Sequence, residues 1–251
     1  MATPIDISEE AGVRYLHFGS TWIQGAMRIA RPWNLELEYT REMMASLLLR
    51  DDAHWPRKVL LIGLGAASLT KFLYRNYPLA HLTVVEIEPA VVSAARQFFK
   101  LPEDPKRINI VIGDGVEYML SSDKKFDLIL VDGYDANASS GALDTLPFYQ
   151  SCRARLNDAG VMAVNLLTSS RRFAGSITRI AEAFDDRALA FPSCESGNAI
   201  AFAIEGDPVE ISFFDLRGKA MDLHKETGLN LMPAITRLAQ AKTCLNDMLI
   251  L

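Results

Sequence analysis

The apolar positions of this chain change their period as it is read from one end to the other. Between Val13 and Gly25 they fall in short strand-like groups, with Tyr15, Leu16, Phe18, Trp22 and Ile23 interrupted by Gly19 and Ser20. That pattern predicts two or three short antiparallel strands. Leu35 to Tyr39 then leads into a helix predicted over about 40–49, with Met43, Met44, Leu47 and Leu48 on its apolar side. Residues 51–56 read as a boundary. Beyond it comes an unbroken apolar run, Val59 to Ile62, which suits a parallel strand buried on both faces. A helix is predicted over 68–76 and a second strand ending at Glu86. Pro89 opens the next helix, where its missing N–H is without consequence, and Val91, Val92, Ala95, Phe98 and Phe99 form the buried face.

The alternation continues. Third and fourth strands are predicted over 108–112 and 126–131, a helix over 145–156, and a fifth strand over 161–167. Phe173, Ile177, Ile180 and Phe184 mark a further helix, and 199–204 a late strand. Pro208 opens a tail whose final helix is predicted over about 233–249, from Ile235, Leu238, Leu245 and Leu249. Strand and helix in this order predict an α/β fold with a doubly wound parallel sheet. The expected organisation is an N-terminal β segment with a linking helix over 1–50, a nucleoside-binding domain over 51–207 and a helical tail over 208–251.

Ligands in such sheets lie beyond the carboxyl ends of the strands. Four strands end there in polar or glycine punctuation. Gly63 and Gly65 follow the first, and a strand, glycine turn and helix together place free N–H groups and partial positive charge beside a ligand. Glu86 ends the second strand, 21 residues beyond Gly65, where nucleoside-binding sheets set a carboxylate to accept both ribose hydroxyls. Asp114 after the third strand is placed to accept an adenine amino hydrogen. Asp132 and Asp135 follow the fourth, and a turn can aim both at one cationic acceptor. An isolated Asp after a strand also reads as a helix cap or turn residue.

Composition narrows the class. With 251 residues and 49% hydrophobic content, one α/β domain with appendages, or two small domains, can bury a core. The net charge of −5 argues against a nucleic-acid partner. Cys152, Cys194 and Cys244 are odd in number and far apart, which points to a reducing compartment without disulfides. His17, His54, His81 and His224 stand singly, so no metal site is expected. The first residues are acidic and polar, and no apolar run reaches the ~18 residues of a membrane span. A soluble, cytoplasmic protein without membrane partners is expected.

With these residues in view, the chain resembles the spermidine synthase family, the polyamine aminopropyltransferases. The resemblance runs from about Leu16 to Glu205. It rests on Val85-Glu-Ile-Glu-Pro-Ala-Val-Val, Ile112-Gly-Asp-Gly, Asp127-Leu-Ile-Leu-Val-Asp132 and Phe148-Tyr-x-x-Cys152. It implies a seven-stranded, mostly parallel Rossmann-like sheet of the class I methyltransferase type, a small N-terminal antiparallel β segment, and a homodimer. It further implies that Glu86 holds the ribose and Asp114 the adenine, with Gly115 beside it, and that Gln24 is the glutamine lent to the nucleoside by the N-terminal segment. Asp132 matches the catalytic carboxylate and Tyr39 its partner, with Tyr134 and Asp135 on the acceptor side.

Three positions depart from the family pattern. Its Gly-Gly-Gly-Asp-Gly-Gly loop is Gly63-Leu-Gly-Ala66-Ala-Ser68 here, without the Asp expected to meet the donor's amino group. Its Tyr-His-Glu or Tyr-Gln-Glu is Tyr39-Thr-Arg41, and Asp-x-x-Asp-Pro is Asp132-Gly-Tyr-Asp135-Ala136. Ala66 implies slight selectivity between decarboxylated and intact S-adenosylmethionine. Arg41, if turned inward, disfavours long polyamines; the other reading pairs it with Glu38 or Glu42, or leaves it in solvent. The resulting expectation is aminopropyl transfer from decarboxylated S-adenosylmethionine to a small amine, without metal. The alternatives are methyl transfer from S-adenosylmethionine on the same fold, or a non-catalytic nucleoside-binding module. A nicotinamide enzyme fits less well, because the loop lacks a third glycine.

Overall fold

The computed structural model describes residues 4–52, 54–168, 173–193, 197–241, 244–245 and 247–251. Its N-terminal part is a three-stranded antiparallel sheet of β1 (Asp6–Glu10), β2 (Val13–His17) and β3 (Gly25–Arg28), in that order. A short helix α1 (Glu38–Met43) runs into a 3-10 segment, Met44–Leu49, every residue of which is buried. The predicted helix over 40–49 therefore starts earlier and changes type half-way. A segment buried all round no longer presents the polar face of a surface helix.

The main domain then follows as β4 (Lys58–Ile62), α2 (Ser68–Asn76), β5 (His81–Glu86), α3 (Pro89–Phe98), β6 (Ile108–Ile112), α4 (Gly115–Ser121) and β7 (Phe126–Val131). It continues as α5 (Leu146–Ala154), β8 (Leu156–Leu167), α6 (Phe173–Ala183), β9 (Ala188–Pro192) and β10 (Asn198–Ile204). The seven strands lie in the order β6-β5-β4-β7-β8-β10-β9. Those from β6 to β8 are parallel, and β10 is antiparallel to both β8 and β9. Strand order reverses between β4 and β7, the position where such sheets open a ligand crevice.

Burial explains why the central strands are so plain in the sequence. β4 and β5 are buried at every position but the first, whereas the edge strand β9 alternates and the edge strand β6 is buried only at its first position. Val59 and Leu61 pack into the core on one face of the sheet, Leu60 and Ile62 into that on the other.

Several elements depart from expectation. β8 starts at Leu156, not at 161, and α5 stops at Ala154. The polar stretch 157–160 stays in the strand because Leu156 pairs with Phe126 across a register shift and Asn157 Nδ2 bonds Asp127. β1 and β9 were not foreseen: β1 is a polar, largely exposed edge strand without apolar alternation. The tail is only partly helical. α7 (Phe213–Thr227) opens it, with Ser212 accepting from Asp215 N and Gly228 in left-handed conformation at its end. α8 (Met232–Leu238) then stops short of the predicted 249. β11 (Glu210–Ser212), β12 (Cys244–Leu245) and β13 (Met248–Ile250) form a small antiparallel sheet instead, in which Leu249 is fully buried. Asp247, at a φ of 61°, makes the turn that a continuous helix would forbid. Cys152 is buried and free, while Cys194 lies outside the described residues. Among the described residues, no helix is long and apolar enough to cross a membrane, and no group of three His, Cys, Asp or Glu side chains is placed to hold a metal ion.

Candidate active site

A cavity of about 580 Å³ opens at the carboxyl ends of the strands. Its size suits a small-molecule site. Each element contributes where its strand stops. Gly63, directly after β4, has a φ of 94°, and a Cβ there would lie 2.2 Å from the Asp132 carbonyl oxygen. Only glycine lets this turn pass so close to the end of β7. Asp132 N reciprocates by donating to Ile62 O at 2.9 Å. Gly65 lies beneath the Gln24 carbonyl, which would be 3.1 Å from an added Cβ.

Glu86, at the end of β5, is buried and spans two turns. Its Oε2 accepts from Leu64 N and its Oε1 from Glu88 N, both at 2.9 Å. Burial raises its carboxyl above the ordinary range, and the backbone N–H groups of Glu88, Leu64 and Ile87 act against that rise. Each oxygen retains a lone pair for a ligand hydroxyl. Asp114 caps α4, its Oδ1 accepting from Val116 N at 2.7 Å and Glu117 N at 3.1 Å. The capping reading is thus realised, with Oδ2 left over on the cavity wall.

Across the cavity, Asp132 is held at both oxygens. Tyr39 OH donates to Oδ2 at 3.1 Å and Asn165 Nδ2 to Oδ1 at 2.9 Å. Burial lifts the Asp132 carboxyl above its usual range, and these two donors restrain the rise. The Tyr39 hydroxyl is pushed well above 10, first by burial and then by the Asp132 charge, so it stays a donor. The Tyr134 hydroxyl is spent on Asn165 O at 2.7 Å, which leaves the ring for ligand contact. Asp135 is exposed and organises its own loop, its Oδ1 accepting from Asn137 N and Ser139 N. The N-terminal segment forms the roof, with Gln24 inside and Trp22 and Ile23 exposed at the mouth.

All ten residues singled out in the sequence line this one cavity. Of the two readings of Arg41 the pairing one holds, and the expectation for Ala66 fails. Arg41 faces away: it pairs with Glu38 and donates to Leu35 O and Glu36 O, and it is not on the cavity wall. Ala66 is buried against Gly25, where an added Cβ would sit 2.6 Å from Ala66 Cβ and 2.8 Å from its N. Position 66 therefore faces the roof and takes no part in the wall. Residues the sequence reading missed are Asn165, Asn198 and Glu88, all on the wall. Asn165 carries one available signal, a polar amide inside the apolar run from Val161 to Leu167, whereas Asn198 stands at the first position of β10. Glu88 stands two residues after Glu86 and also caps α3 through Ala90 N.

A family model for the spermine/spermidine synthase domain matches residues 37–168. The chain belongs to the spermine/spermidine synthase family. The matched span holds Tyr39, the glycine loop, Glu86, Asp114, Asp132 and Asn165, and leaves Gln24 and Asn198 outside. A polyamine aminopropyltransferase of Chromobacterium violaceum is 36% identical over 94% of this chain and 89% of its own length. One from Neisseria meningitidis serogroup B is 34% identical over 90% and 85%. Among solved structures, a probable spermidine synthase from Corynebacterium glutamicum shares the fold at a TM-score of 0.69 and 20% identity, over 80% of this chain and 76% of that one. In this family member the wall carries five carboxylates, Glu86, Glu88, Asp114, Asp132 and Asp135, and the described lining residues include no Lys, Arg or His.

Proposed function

We propose that this chain is a polyamine aminopropyltransferase, moving an aminopropyl group from decarboxylated S-adenosylmethionine to a small aliphatic diamine. The acid-lined cavity, with the half-buried Asp132 held at both oxygens by Tyr39 and Asn165, is the observation that carries the reading. Its relatives in Chromobacterium and Neisseria, which cover most of this chain, bear the same activity in their names. A wall carrying five carboxylates, with no Lys, Arg or His among the described lining residues, favours a cationic donor and a cationic acceptor, and disfavours the carboxylate of intact S-adenosylmethionine. This replaces the slight donor selectivity expected from Ala66, because position 66 is not on the wall. Arg41 likewise sets no barrier to an amine.

The donor supplies a carbon activated by its sulfonium. The chain's residues do the rest. Glu86 accepts from the ribose hydroxyls, Asp114 Oδ2 from the adenine amino group, and Gln24 closes over the nucleoside. Asp132, fixed by Tyr39 and Asn165, takes the proton of the acceptor ammonium, its raised pKa bringing it nearer to the working pH. The freed nitrogen lone pair forms the C–N bond, the C–S bond breaks, and its electrons remain on sulfur as a neutral thioether. Asp135 and the Tyr134 ring receive the far end of the diamine. Cytoplasmic location and a homodimer belong to the same reading, supported by the free Cys152 and by the family.

The test is incubation with decarboxylated or intact S-adenosylmethionine and a panel of diamines, followed by mass spectrometry. Aminopropyl addition with release of methylthioadenosine is expected. A methylated product formed only from the intact donor would overturn the proposal.

A further inference from the structure

We propose that Asn165, with its amide supported by Asn198, is the positioning residue that keeps Asp132 ready to take the acceptor's proton. The inference rests on the aminopropyltransferase reading for the identity of that proton, but its geometry does not. Asn165 is only 5% exposed and lies near the end of β8. Its Nδ2 donates to Asp132 Oδ1 at 2.9 Å, and its Oδ1 accepts from Asn198 Nδ2 at 2.8 Å. Asn198 is the first residue of β10. Because β10 is antiparallel to β8, its beginning reaches the ligand edge where the parallel strands end.

The direction of this relay is forced. An ionised carboxylate only accepts, so the amide must offer it the NH₂ end. The amide's single oxygen then faces Asn198, which answers with a donor. Turned the other way, two acceptors would meet at Asp132 and two donors at Asn198. The carboxylate thus sets the orientation, and Asn198 supports it by giving the amide oxygen its donor without touching the carboxylate. The backbone is pinned as well, since Tyr134 OH donates to Asn165 O.

With Asn165 on one oxygen and Tyr39 on the other, the carboxylate plane of Asp132 cannot rotate freely. Both donors favour the ionised form, and burial opposes it. The titratable groups lining the cavity around Asp132 are Tyr39 on α1, Tyr134 and Asp135 on its own loop, Glu86 and Glu88 after β5, and Asp114 after β6. β4, β8 and β10 contribute none among the described residues, so the amide pair is what neutral polarity faces Asp132 from that side.

Two readouts test this. One is the acid limb of kcat against pH. The other, in ligand-free protein, is the ¹³C titration of the Asp132 carboxyl, assigned by its loss in Asp132→Asn. Asn165→Leu, which keeps the shape without the donor, is expected to move both midpoints up by about a pH unit or more and to lower kcat about ten- to a hundred-fold near neutrality. KM for the diamine should change far less. Asn198→Asp presents an acceptor, turns the amide round, and should raise the carboxyl midpoint more than Asn198→Ala does. In an Asn165→Leu background that extra effect of Asn198→Asp should vanish, whereas a charge acting directly through space would persist. An unmoved carboxyl midpoint in Asn165→Leu, or persistence of the Asn198→Asp effect in the double variant, overturns the proposal. If Asn165→Leu does not fold, the comparison of Asn198→Asp with Asn198→Ala decides alone, equal midpoints refuting it. Absence of aminopropyl transfer by the unaltered chain would refute the proposed function, and the carboxyl titration would still judge the relay.

Discussion

Replacing Glu86 by Gln puts the nucleoside half of the cavity to a quantitative test. The carboxylate holds one backbone N–H with each oxygen, Leu64 N in the glycine loop and Glu88 N in the β5–α3 turn, both at 2.9 Å. A glutamine has only one acceptor end. Whichever way its amide lies, NH₂ meets one of those two donors, and one buried N–H loses its partner. Leaving a buried donor unsatisfied costs about 1–3 kcal/mol, so the free protein should lose stability of that order in urea denaturation. The ribose separately loses a charged acceptor, about 1.5–3 kcal/mol, or roughly ten- to a hundred-fold in affinity. Calorimetry with methylthioadenosine measures the second quantity on its own. Burial raises the Glu86 carboxyl, so its charge, and the advantage over Gln, is lost as pH falls through that raised value. The affinity gap should accordingly narrow in acid. A folded Glu86→Gln protein with the unaltered dissociation constant at neutral pH would remove Glu86 from the site.

Asp132→Asn should lower turnover by roughly 10²–10⁴ while calorimetry with methylthioadenosine shows unchanged affinity, and near-normal turnover would reassign the base. Gly63→Ala forces a Cβ to within 2.2 Å of the Asp132 carbonyl at a φ of 94°, so urea denaturation should show a large loss of stability, together with reduced turnover from a displaced Asp132. Lys71 is 2% exposed, and its ammonium is pushed down to about 8, chiefly by burial and then by Lys100. The unfolded chain keeps this proton up to about 10.5, so stability should rise with pH between about 8 and 10.5, by on the order of 3 kcal/mol, and Lys71→Met should flatten that rise in pH-dependent urea titrations while stabilising the protein at pH 7. Arg41→Ala should leave KM for the diamine unchanged in steady-state assays, since its guanidinium bonds Glu38 and the carbonyls of Leu35 and Glu36.

The parallel part of the fold was legible because β4, β5 and β7 are buried on both faces and so read as continuous apolar runs ended by glycine or acid. The same punctuation pointed to the wall of the cavity. What escaped was set by tertiary neighbours. The local i,i+3 spacing offered Glu38 to Arg41 without deciding between that pair and an inward turn, and nothing in Gly65-Ala66 says that residue 66 meets Gly25. Asn198 escaped for a topological reason: a search of carboxyl ends overlooks a strand that runs the other way and delivers its first residue. The tail was misread because Leu245 and Leu249 fit a helical spacing, while the pairing of β13 with the distant β11 decided the outcome.

The antiparallel course of β10 also orders events during synthesis. Tyr39, the glycine loop, Glu86 and Asp132 all precede β8 along the chain, and β10 follows it by a further helix and strand. A growing polypeptide that has formed β4 to β8 holds the residues proposed for the nucleoside and the base, yet the Asn165 oxygen lacks the Asn198 donor. A ribosome-bound chain ending before Asn198 should therefore acquire affinity for methylthioadenosine before it acquires a fully set Asp132, making the chemical centre the last part of the cavity to mature.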